Sequence, residues 1–122
     1  MWPLAYREFI ERHRLAGKEI EIPVEDDLSK VGAAIHLFDE AAANEEANDL
    51  YPGLVVKQDG FVPIGGCSVG CGDPYFINLQ DQQPGPVYRI YHDSVFDENY
   101  DRNDAVVRVL DSFEDLLRFL ET

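Results

Sequence analysis

Trp2, Tyr6, Phe9, Ile10 and His13 recur at i, i+4, i+7, i+8 and i+11, the stripe that one face of an α-helix presents to a core. Pro3 suits the first turn of such a helix and Gly17 stands just past its end. Ile20 and Ile22 then alternate with Glu19 and Glu21 ahead of Pro23, which predicts a short edge strand. Residues 26–50 admit two readings. One is a strand over 35–38 followed by a helix capped by Asp39 and running through Ala41, Ala42, Ala43 and Ala47; the other is one continuous helix.

Turn residues punctuate the second half at regular intervals and divide it into strands. Residues 54–57 and 61–64 flank Gln58, Asp59 and Gly60, and the Asp-Gly pair predicts a hairpin between them. Gly65, Gly66, Gly70 and Gly72 break the chain before a strand over 75–79, and Pro84, Gly85 and Pro86 precede another over 87–92. A further strand is expected over 106–110. Ser112 with Asp115 three residues on has the spacing of a capping box, and Phe113, Leu116, Leu117 and Leu120 fall on one helical face behind it. No internal repeat or linker divides the 122 residues, so a single domain over 1–122 is expected.

Charge narrows the function classes. There are 24 acidic against 10 basic residues, a formal net charge of −14. Such a field repels phosphate backbones and anionic lipid, so neither nucleic acid nor a membrane is expected as partner. It suits either simple solubility or encounter with a cationic protein, which an acidic surface accelerates. No apolar run approaches the roughly 20 residues that cross a bilayer. Arg7, Glu8, Glu11, Arg12 and Arg14 interrupt the first fifteen positions, unlike a secretory signal. A cytoplasmic address follows as the expectation, and with it reduced thiols at Cys67 and Cys71, which in an oxidising compartment could instead form a disulfide.

Candidate chemistry is thin. Cys67 and Cys71 lack the Cys-x-x-Cys spacing of a redox pair, and a zinc site would need further ligands such as His36 or His92. The glycines between 65 and 72 lack the Gly-Lys-Ser/Thr ending of a phosphate loop and read as turns, with Asp73 bonding local backbone amides. Asp97, Asn99, Asp101 and Asn103 mimic the start of a calcium loop, but Arg102 and Arg108 stand where Gly and a bidentate Glu are required. His13, His36 and His92 are far apart, and no serine has the setting of a triad nucleophile. His92 and Asp93 could orient one another but read as rim residues. No enzyme activity, metal or cofactor is expected.

The order of these pieces resembles the SMI1/KNR4 (SUKH) domain. The resemblance rests on the run Phe61, Val62, Pro63, Ile64, Gly65, the glycine-rich loop reaching Gly72 and Asp73, the strand Tyr75, Phe76, Ile77, Asn78, Leu79, then Gly85, Pro86, Val87, Tyr88 and Tyr91, His92, Asp93. The ending Ser112, Phe113, Glu114, Asp115, Leu116, Leu117 belongs to it too, whereas residues 18–48 fit the pattern loosely. It implies an α+β fold, an antiparallel sheet of about six strands with helices packed against it. It also implies function by binding: bacterial members look like immunity proteins that neutralise toxins, and fungal relatives act as interaction scaffolds. Three functions follow as expectations. First is a non-catalytic inhibitor of a basic, nuclease-type toxin, monomeric when free; second, a regulatory scaffold; third, a small-ligand binder using the glycine-rich loop. For the first, the candidate contact residues are Asp73, Tyr91, Asp93, Asp97, Glu98, Tyr100, Asp101 and Asp104, with Tyr75 and Tyr88 as further aromatic candidates.

Overall fold

A computed structural model describes residues 2–69, 72–96 and 99–120. Helix α1, Leu4–His13, buries Tyr6, Phe9 and Ile10 as its periodicity predicts. Trp2 anchors its start: the indole Nε1–H donates to the Pro63 carbonyl at 2.8 Å, and its ring meets Tyr6 edge-on at 4.9 Å between centroids. The helix stops before Gly17, because Arg14 itself takes the left-handed conformation at φ 53°.

Six strands follow in the order β1-β2-β3-β4-β5-β8, every neighbouring pair antiparallel. They are β1 Glu19–Ile22, β2 Ala33–Leu37, β3 Phe61–Cys67, β4 Tyr75–Asn78, β5 Val87–Ile90 and β8 Val106–Leu110. The expected α+β fold with a six-stranded antiparallel sheet is therefore the observed one. The sheet curls, and two ties cross the gap between its outer strands: the Leu28 amide donates to the Val109 carbonyl at 3.0 Å, and Ile20 on β1 bridges Leu120.

Both faces carry a core. One gathers Tyr6, Phe9 and Ile10 of α1, Ile20, Ile35, Ile64 and Ile77 of the strands, and Phe113 and Leu116 near the C-terminus. The other packs Phe61, Phe76, Tyr88 and Ile90 beneath Val55, Val56, Val95 and Ala105. Of the two readings for residues 26–50, strand then helix is correct. Asp39 caps α2, Glu40–Asp49, by accepting from the Ala42 amide at 2.7 Å.

The structure corrects four expectations. Residues 54–57 are not a strand and no hairpin turns at Asp59-Gly60; α3, Gly53–Val56, passes into a 3-10 turn Lys57–Asp59 that Gly60 closes at φ 91°. A four-residue apolar run does not tell helix from strand by periodicity, and packing decided: Val55 and Val56 are buried in the second core, while Gly53 lies so close to α2 that an added Cβ would come 2.4 Å from the Glu46 carbonyl oxygen. Gly65 and Gly66 do not turn the chain but continue β3 to Cys67. The C-terminal segment Phe113–Phe119 is a 3-10 helix, capped by Ser112 Oγ accepting from the Glu114 amide at 3.2 Å. Cys67, moreover, is disulfide-bonded rather than a free thiol; Gly70 and Cys71 lie outside the described residues.

Helix α2 carries two glutamates of opposite thermodynamic sign. Arg7 on α1 grips Glu40 in two parallel bonds, Nε to Oε1 at 2.9 Å and Nη2 to Oε2 at 2.7 Å, and that bond holds the Glu40 carboxyl below its usual range. Burial, helped by neighbouring Glu45, pushes Glu46 up. A depressed carboxylate contributes stability above its unfolded pKa of about 4.3 and loses it as pH falls through the folded value. A raised one is neutral without penalty in acid and costs stability once pH exceeds its folded pKa. Glu40→Gln is therefore expected to lower, and Glu46→Gln to raise, the unfolding free energy at pH 7, with both differences shrinking in urea titrations taken towards pH 3. Equal responses of the two variants would contradict this assignment.

Candidate functional site

Beyond β5 the chain makes a 3-10 turn, His92–Ser94, a small hairpin of β6 Val95–Phe96 and β7 Asn99–Tyr100, and one helical turn, α4 Arg102–Ala105, before entering β8. Val95 and Ala105 plug the second core from above and so fix the polar side chains between them at the surface. The Tyr51 hydroxyl, just ahead of α3, holds the hairpin by donating to the Val95 carbonyl.

The segment encloses an open concavity of about 680 Å³ lined by Asp93, Ser94, Asn99, Tyr100, Asp101, Arg102 and Asp104. Four sequence-derived candidates thus share one site: Asp93, Tyr100, Asp101 and Asp104. Asp101 also caps α4, accepting from the Asn103 amide at 2.9 Å, which accounts for its place in the calcium-like run. Tyr100 donates its hydroxyl to the Asp59 carboxylate; burial foremost, then that bond and charge, raise its pKa. Among the described residues Arg102 is the one basic member of the lining, and its guanidinium lies over the Phe61 ring, 4.9 Å from the centroid. Asp97 and Glu98 lie outside the described residues.

Asp73 does not bond local amides as expected. Its Oδ1 accepts from the backbone N–H of His92 at 3.0 Å and stands 2.6 Å from His92 Nδ1, nineteen residues along the chain. The other ring nitrogen, Nε2, stands 3.0 Å from Asp93 Oδ1. Asp73, His92 and Asp93 therefore form a bridge at the rim of the concavity. Tyr91 is half-buried on the far side of this bridge, in a neighbouring hollow with Asp73. Tyr75 and Tyr88 are buried, so neither is an exposed anchor.

Sequence reasoning missed Arg89 and Asp27, the buried pair that ties residues 27–32 to β4 and β5 beside the site. Arg89 on β5 donates to the Gly32 carbonyl at 2.6 Å, the Tyr75 hydroxyl at 3.1 Å and Ser29 Oγ at 3.2 Å. Asp27 lies 3.6 Å away and takes both the amide and hydroxyl of Ser29. Burial works against the Arg89 charge, yet Tyr75, Tyr91 and Asp27 together hold its pKa above the ordinary guanidinium value. Arg89 and Ser29 are 60 residues apart, and no local pattern announces such a contact.

Three carboxylates around one arginine can hold cationic groups by hydrogen bond and charge. Among the described residues no three His, Cys, Asp or Glu side chains converge as a metal site, and no helix is long and apolar enough to cross a membrane. The class defined so far is an α+β protein with a curled six-stranded antiparallel sheet and an acidic concavity above one of its faces. The chain belongs to the SMI1/KNR4 family (SUKH-1), whose profile matches residues 3–118. No curated protein and no solved structure matches it significantly.

Proposed function

We propose that this protein is a non-catalytic binding module that recognises and neutralises a cationic protein, an immunity-type function directed at a basic toxin. The observation that carries the reading is the concavity where Asp93, Asp101 and Asp104 gather beside Tyr100, on a chain of net charge −14. Carboxylates on an exposed rim accelerate encounter with a cationic surface, and an amphipathic aromatic among them gives the contact something to bury. Family membership supports binding as the mode of action.

The test uses a catalytically inactivated basic effector encoded beside this protein's gene, titrated by calorimetry and stopped flow. The association rate is expected to fall steeply with added salt, because exposed charges are screened over about 10 Å or less. The double reversal Asp93→Lys with Asp104→Lys should slow association about tenfold or more and leave melting unchanged. Absence of binding at low salt, together with selective binding to a resident housekeeping protein, would replace the immunity reading with a scaffolding one.

A further inference from the structure

The second core covers the outer face of the sheet only in part. Its residues lie on β3, β4 and β5 and beneath α3, β6 and α4. Over β1 and β2 the side chains on that face are Glu19, Glu21, Ala34 and His36, exposed or half-buried. Three hollows of about 270, 240 and 520 Å³ open side by side there and share Val69. Val69 is 77% exposed, Val31 60% and Val24 51%. Gly32 and Ala34 help form the floor, and Val24 Cγ2 stands only 3.3 Å from where a Gly32 Cβ would be. The two hollows beside Val31 are mainly apolar and the one beside Glu19 and Ser68 mainly polar, so the groove joins an apolar floor to an acidic end.

Its rim is acidic. Glu19 and Glu21 border it on β1, and Asp73 borders it at the other end. Lys30, next to Val31, reaches 3.5 Å from the Glu25 carbonyl; His36 stands 3.9 Å from Glu19. Arg89 at the floor is committed to Asp27, Gly32 and Tyr75. Through the bridge of Asp73, His92 and Asp93 the groove adjoins the acidic concavity, so one ligand can span both.

We propose that this groove seats an extended segment of the cationic partner, with an aliphatic side chain entering between Val31 and Val69 and flanking lysine or arginine groups over Glu21 and Asp73. The assignment rests on the reading above for the partner's charge and adds where its apolar anchor binds. Charge complementarity selects the occupant. A second copy of this chain would oppose acidic rims to one another, and an anionic membrane would be repelled likewise. Apolar anchors ringed by polar contacts concentrate binding energy in this way.

The full chain, labelled with ¹⁵N, is titrated with three synthetic pentapeptides: alternating lysine and valine, alternating lysine and serine, and alternating glutamate and valine. Saturable shifts of the Gly32, Ala34 and Val69 amides are expected with the first alone. Val69→Asp should weaken that binding about tenfold; because Val69 is exposed, the variant should melt with the parent. Glu21→Lys should weaken it as well. Equal shifts from the lysine-serine peptide would overturn the apolar anchor, as would a Val69→Asp variant that binds as tightly as the parent. Shifts confined to residues 99–104 would overturn the groove but leave the cationic-partner reading intact, whereas failure of both lysine peptides and of the basic effector would remove both. Dimerisation through Val69 would replace the proposed occupant with a second copy and overturn the assignment.

Discussion

Gly65→Ala is expected to lower the melting temperature by roughly 10 °C, whereas Gly66→Ala, one residue along the same strand, should leave it nearly unchanged. At Gly65 an added Cβ would stand 2.7 Å from the His36 backbone oxygen and 2.6 Å from Ile35 Cγ2, both on paired strand β2. Neither atom is a flexible side-chain end, so the two strands must part or the sheet must shear. Overpacking of this kind costs about 3 kcal/mol at the upper end of its usual range, and a domain of this size loses roughly 4 °C per kcal/mol. At Gly66 the same Cβ would meet the Phe38 ring at 3.5 Å, an ordinary contact. Calorimetric melting of the two variants decides the matter. Similar losses at both positions would show that glycine is needed there for chain flexibility rather than for the close approach of β2.

Removing either member of the buried ion pair should cost about 3–5 kcal/mol, because the survivor is left charged in the interior. Asp27 is fully buried and Arg89 is 3% exposed. Arg89→Met strands the Asp27 carboxylate, whose Oδ2 already has no hydrogen-bond partner, only the arginine at 3.6 Å. Asp27→Leu strands the guanidinium and frees Ser29, whose amide and hydroxyl both donate to Asp27 Oδ1. The double variant removes both charges, so its loss should be well below the sum of the single losses. Urea unfolding of the four-member cycle measures the coupling. Additive losses would mean that the pair does not act as a unit and that the loop over 23–32 is held by its backbone contacts alone, such as the bond from Leu28 to Val109.

Much of the fold was legible because it follows from local periodicity. The stripe from Trp2 to Ile10 buries as a helix face must, and Asp39 caps α2 because a short acceptor ahead of an alanine-rich run can satisfy an unpaired amide. The glycines were misread for a physical reason. Residue type reports that the backbone is free, but not whether that freedom serves a turn or the close passage of a neighbouring strand. Gly60 and Gly72, at φ 91° and 81°, serve conformation; Gly53 and Gly65 serve approach. The same limit explains α3, whose four residues are too few to show a period and took their form from the surfaces they cover.

For the site, the clustering of acids in residues 93–104 was visible in the sequence, and three of them, Asp93, Asp101 and Asp104, share the concavity with Tyr100. The sequence by itself determined the acidity of the molecule, the mixture of helices and short strands and the segment from which the candidate face is built, since these follow from composition and short-range pattern; the antiparallel plan of the sheet came from the family resemblance. Only the tertiary structure decided which tyrosines are buried, that Asp73 reaches His92, that Arg89 meets Asp27, and that the valines at 24, 31 and 69 line one groove. Each of these joins residues far apart in the chain. Such contacts arise from how the sheet curls and which edges its loops cross, and local pattern carries no record of either.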